Sequence, residues 1–272
     1  MNPAYRKGDK GPLILEINFR LAGFGGLLPT DEFTELTEKG VKQFQTDYMK
    51  ITPTGEVDSN TLDAIDEFCD KYRENVDNYK CKCGECDGFG KGQFKGEYRP
   101  GKSKIEAYHN YEYPGMHQSL LWAVSAARYY LTQKFDGKYS INCVSSGYRC
   151  WLHPITISKK TTNHMGKAVD LHFNKDGQRT RESSDMDLLR ENIFCDEMGA
   201  PYNRGAFGWE INKFGLEPFE FKRGKKNGAT SWVHVDVREF QSAKYLKDEY
   251  FIKSNAERFF NYKLLTINNN KK

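Results

Sequence analysis

Asn163-His164-Met165-Gly166-Lys167-Ala168-Val169-Asp170 runs straight into Leu171-His172-Phe173. Ala168 to Phe173 reads as a strand, and the polar residues before it read as a turn held by small neighbours. Tyr139 to Ser145 alternates as a second strand, and Trp232 to Val237 supplies a third. Met116 to Phe135 reads as a long helix, with Leu120, Leu121, Val124, Ala127, Tyr130 and Leu131 on one apolar face. A further helix is expected over Asp185 to Met198. Helices come first and strands after, without a βαβ rhythm. That order predicts an α+β domain around a central antiparallel sheet over residues 105–272.

Residues 1–75 read as a small three-helix domain. Leu13, Ile14, Ile17 and Leu21 recur at helical spacing, and Gly23, Gly25 and Gly26 end that helix. A second helix is expected from about Leu36 to Tyr48, with Val41, Phe44 and Tyr48 on one stripe. Thr37, Gly40 and Val41 open it without a strong capping box. After the turn Thr52-Pro53-Thr54-Gly55, Asp58 or Ser59 can cap a third helix through Phe68. Residues 76–104 are rich in Gly, Lys and Cys and read as a linker or entry loop.

Composition narrows the classes. The chain of 272 residues is 38% hydrophobic and 29% charged, which are globular proportions. It contains no apolar run of the roughly 18 residues a membrane helix needs, so no membrane insertion is expected. The start has no apolar core, so no secretory signal is expected, and another route would have to carry the protein out of the cytoplasm. Residues 1–78 carry 9 Lys/Arg against 15 Asp/Glu, net −6, and the remainder 32 against 22, net +10. That break supports two modules, the basic one suited to an anionic polymer such as cell wall or nucleic acid. No recognition helix or stacking ribbon accompanies the charge, so nucleic acid is not an expected partner.

Seven cysteines are too few for a disulfide scaffold at this length. Cys69 and Cys195 read as apolar core residues. Cys81, Cys83 and Cys86 can give three thiolates to zinc with a fourth ligand from elsewhere, form disulfides, or stay reduced.

Three segments carry the chemistry: Ser145-Ser146-Gly147-Tyr148-Arg149, the turn and strand from Asn163 to Asp170, and Trp232-Val233-His234-Val235-Asp236-Val237-Arg238. Two imidazoles and a carboxylate are a normal set for catalytic zinc, with a fourth position left for water. His109, His117 and His153 read as structural residues. His172 falls on the same strand face as Asp170, as an outer partner or an alternative ligand.

Together these segments resemble the D-Ala-D-Ala carboxypeptidase and endolysin peptidase family of zinc enzymes, whose wider group includes lysostaphin-type peptidases and the hedgehog signalling domain. The carriers are Ser146-Gly147-Tyr148-Arg149, His164 to Asp170, and Val233 to Arg238. The first 75 residues resemble the three-helix peptidoglycan-binding domain of cell-wall hydrolases, through Phe44-Gln45, Thr54-Gly55, Val57-Asp58 and Thr61-Leu62. Its first helix departs from the usual pattern, with Glu16-Ile17-Asn18 where a Leu-Gln pair is common.

The resemblance implies Zn2+ held by His164, Asp170 and His234, with Arg149 holding a substrate carboxylate or carbonyl. It makes Gly166 and Ala168 small for close packing and Asp236 an orienting partner of a ligand histidine. Two departures stand out. The step from His164 to Asp170 is six, one shorter than the family's, so Asn163 occupies the expected ligand position. Where relatives carry a base, this chain has Ser231 and Trp232. Glu210 is the expected catalytic carboxylate, with Glu220 as an alternative.

The implied activity is a peptidoglycan hydrolase that cuts an amide bond in the stem peptide or cross-bridge. It would be an endolysin or a secreted antibacterial effector, acting at the cell wall or periplasm after release or injection. A monomer is expected, with secretion machinery or an immunity protein as further partners. The alternative is a non-catalytic wall-binding component of a phage or secretion apparatus.

Overall fold

The computed structural model describes residues 4–90, 92, 111–159, 162–200, 215–216, 229–237, 243–256 and 263–264. Three amino-terminal helices come first: α1 (Pro12–Arg20), α2 (Glu35–Asp47) and α3 (Ser59–Tyr72). Asp58 caps α3 by accepting from Thr61 N at 2.8 Å, and the helix runs one turn beyond Phe68. The opening of α2 corrects the expectation of a weak start. Thr34 is its cap, accepting from Thr37 N at 3.2 Å, while Thr34 N donates to Thr37 Oγ1 at 3.1 Å. A threonine here takes the reciprocal role usually given to Glu or Gln.

Gln45 explains why the Phe-Gln and Thr-Gly pairs occur together. Its Oε1 accepts from Thr54 N and Gly55 N, both at 2.9 Å, and its Nε2 donates to Glu56 O at 2.9 Å. One buried amide thus fixes the turn between α2 and α3.

The long helix α4 (Gln118–Phe135) begins two residues later than expected, because Met116–His117 forms strand β1. His117 Nδ1 accepts from Ser119 N at 3.2 Å, opening the helix. Residues Gln118 to Ala127 are all buried, so α4 is covered on more than one face. It packs against α1 and α3 and against the main sheet. The apolar core is continuous across this helix, and the amino-terminal helices share it. Val76 and Tyr79 are also fully buried, so the segment after α3 packs onto the body.

The main sheet is antiparallel, in the order β2 (Tyr139–Ser146), β3 (Ala168–Lys175), β6 (Val233–Asp236), β5 (Gly215–Leu216), with β4 (Gln178–Arg179) paired to β3. A short helix, α5 (Pro154–Lys159), follows β2. Helix α6 (Ser183–Leu189) continues through wider π-helical turns over Arg190–Glu197. Strand β7 (Phe251–Ile252) pairs with β1. The molecule is therefore a mixed helix-and-sheet protein with a helical amino-terminal domain and antiparallel sheets.

Candidate metal centre

Register builds the site. In the pairing of β2, β3 and β6, Asp170 lies opposite Ser146 on one side and His234 on the other. His164 reaches the same place from the turn before β3. One donor atom each from His164, Asp170 and His234 lies within 4.8 Å of the others, and all three residues are buried. The Asn163 carbonyl accepts from Lys167 N at 3.1 Å and closes the turn that carries His164.

Two glycines allow this approach. Gly147 lies against the Tyr79 backbone, and a Cβ on it would sit 2.5 Å from Tyr79 O. Gly166 has φ +103°, and its Cβ would be 2.4 Å from Gly115 O. The loops on either side of the centre are thus pressed onto other backbone segments.

Each histidine is held by its outer nitrogen. His164 Nδ1 donates to Gly147 O at 2.8 Å, which leaves Nε2 facing Asp170 Oδ1 at 3.5 Å. His234 Nε2 bonds Asp236 Oδ2 at 2.9 Å, and Nδ1 faces Asp170 Oδ1 at 2.8 Å. Carboxylate and carbonyl partners of this kind orient metal-ligating imidazoles. The second oxygen of Asp170 accepts from Arg149 Nη2 at 2.6 Å, and Arg149 Nε donates to Ser146 Oγ at 2.6 Å.

The electrostatics follow from these contacts. Burial lowers the His164 pKa, against the pull of Asp170. Burial would raise Asp170, but His164 and His234 outweigh it and hold the carboxyl well below its usual range. Burial likewise opposes charge on His234, yet Asp170 and Asp236 carry its pKa up to about 10. Two imidazole nitrogens and a carboxylate oxygen, convergent and with their outer atoms already bonded, fit a zinc ion.

The other described histidines lie apart. His117 Nε2 donates to Tyr245 O at 2.9 Å, and His153 Nδ1 accepts from Ile155 N at 3.2 Å. His172 sits opposite Cys143, 3.9 Å from its Sγ, outside the convergent group. Glu210, Glu220 and His109 lie outside the described residues. Ser146 and Gly147 lie in a segment the sequence singles out, but their roles as outer partners are not signalled there, because a backbone carbonyl and a strand serine acquire them only through register.

A family model for the peptidoglycan-binding domain matches residues 10–65, the segment containing α1, α2 and the first half of α3. This identifies an amino-terminal peptidoglycan-binding domain and supports association with the cell wall. No curated protein matches the chain. Among the described residues, no helix is long and apolar enough to cross a membrane.

Proposed function

We propose that the protein is a zinc-dependent peptidoglycan hydrolase that cleaves an amide bond in the stem peptide or cross-bridge. The observation that carries this reading is the convergence of His164 Nε2, Asp170 Oδ1 and His234 Nδ1, each with its outer atom already bonded. His164, Asp170 and His234 would hold a zinc ion, which would supply the Lewis acidity to polarise a carbonyl and to lower the pKa of water toward about 7. The chain's own residues do the positioning. The Gly147 carbonyl and the Asp236 carboxylate fix the two ring orientations. Arg149 occupies one oxygen of Asp170 and leaves the other to face the histidines. Its Nη1 is what remains of the fork to meet a carbonyl or carboxylate of the peptide. The peptidoglycan-binding domain raises the local concentration of bonds to be cut. Glu210 is proposed as the proton acceptor.

A second reading, a wall-binding component without catalysis, has its own support. The peptidoglycan-binding domain accounts for wall association by itself. Ser231, at the position where relatives carry a base, has no group that accepts a proton near neutral pH, and its carbonyl accepts from Arg179 Nη2 at 2.5 Å.

His234→Ala separates the two. Sacculi bound as before but no longer cleared by the variant is the expected result. Undiminished clearing by His234→Ala sinks the metal reading, and equal binding without clearing by the unaltered protein favours the second.

A further inference from the structure

Four sulfurs converge away from the His–Asp–His group. Cys81, Cys83 and Cys86 come from the loop after Tyr79, and Cys150 comes from the residue next to Arg149. Their Sγ atoms lie within 4.8 Å of one another. Cys83 Sγ is 3.6 Å from Cys86 Sγ and 3.4 Å from Cys150 Sγ. All seven cysteines of the chain are free of disulfides, and the other three stand apart from this cluster. A tetrahedral zinc shell with bonds of about 2.3 Å places its sulfurs about 3.8 Å apart, close to the spacing seen here.

The backbone is arranged for thiolates. Glu85 N donates to Cys83 Sγ at 3.2 Å, and Cys150 N donates to Cys81 Sγ at 3.4 Å. Gly84, at φ +80°, makes the turn that lets Cys83 and Cys86 face the same point. Cys81 N donates to Gly88 O at 2.6 Å and closes the loop. Thiols are weak donors and weak acceptors, so neutral S–H groups give little reason for four of them to meet. A divalent cation gives one.

We propose that Cys81, Cys83, Cys86 and Cys150 hold a structural zinc ion, at a site separate from His164, Asp170 and His234. Four soft thiolates select zinc over magnesium or calcium. A full set of four protein ligands leaves no open position, which makes the site structural. Its effect is local and directed. The loop of residues 81–90 is tied to Cys150, beside Arg149, and the neighbouring Tyr148 N donates to Tyr79 O at 2.7 Å. The ion fastens the segment that presents Arg149 to Asp170. This site does not depend on the hydrolase reading.

The test uses the full chain, purified under reducing conditions from zinc-supplemented cells. A thiol-specific mercurial is titrated in with a zinc-indicating dye present. Release of about one zinc per chain is expected, and the same release from His234→Ala, whose other metal group is broken. Substitution with cobalt should give a near-ultraviolet thiolate-to-cobalt band, which the double variant Cys83→Ser/Cys86→Ser should lose. No zinc released by the mercurial overturns the site. So does an intact mass showing these cysteines joined as disulfides, or a cobalt band that survives in the double variant. If the double variant does not fold, the mercurial titration of the unaltered chain still decides.

Discussion

Asp170 stands in the middle of a row that runs from Ser146 through Asp170 to His234, and it joins everything in it. One oxygen serves the histidines, and the other accepts from Arg149. Asp236 does the corresponding work behind His234, fully buried and bonded to its outer nitrogen. Asp236→Ala should therefore weaken metal binding roughly 10–100-fold while leaving wall binding unchanged, as read by competition against a chelating dye. Unaltered metal affinity would mean that Asp236 does not orient the ligand. His164, Asp170, His234 and Asp236 were picked out from the sequence only through the family resemblance, and the structure brings their side chains together. Cys150 as the partner of the three loop cysteines was not picked out. Its membership depends on Tyr79 and Gly147 lying backbone to backbone, a long-range contact that no local pattern encodes.

Among the elements, α4 depends on a histidine that cannot charge. His117 is completely buried between Ser119 N and Tyr245 O, and burial pushes its pKa down to about 4 from 6.5. The folded state thus refuses a proton that the unfolded chain accepts. Stability is full above about pH 6.5 and falls as pH drops toward about 4, by about 3 kcal/mol from this residue. Urea unfolding across that window should show the loss, and His117→Gln should flatten it. An equal acid sensitivity in the variant would place the loss elsewhere. The helix itself was plain from its periodicity. Its late start was not, because the pairing of Met116–His117 with Phe251–Ile252 overrides local helical preference. The change to π-helical turns after Leu189 was likewise invisible to a count of apolar residues.

At the scale of the whole molecule, the amino-terminal helices and the sheet share a core through α4. The charge break predicts two modules, and the family match at residues 10–65 falls within the first. Neither shows that the first module would be packed into the second. Arg20 and Asp66 form a buried pair at 2.9 Å between α1 and α3, and Asp66 also accepts from Leu264 N at 2.8 Å. Asp66→Ala removes the carboxylate that meets both Arg20 and Leu264 N in a buried place and should cost about 3–5 kcal/mol. Calorimetry of the unaltered chain should give one cooperative transition, and this variant should lower it as a unit. Two transitions, with only the first displaced by Asp66→Ala, would show that the modules fold independently.

The proposed hydrolase activity is tested by digestion of purified sacculi with the zinc-loaded full chain, with mass spectrometry of whatever becomes soluble. A zinc hydrolase should release peptide fragments carrying new amino and carboxyl ends, absent when a chelator is added and restored by zinc. Sacculi that bind the zinc-loaded protein and release no fragments would contradict it.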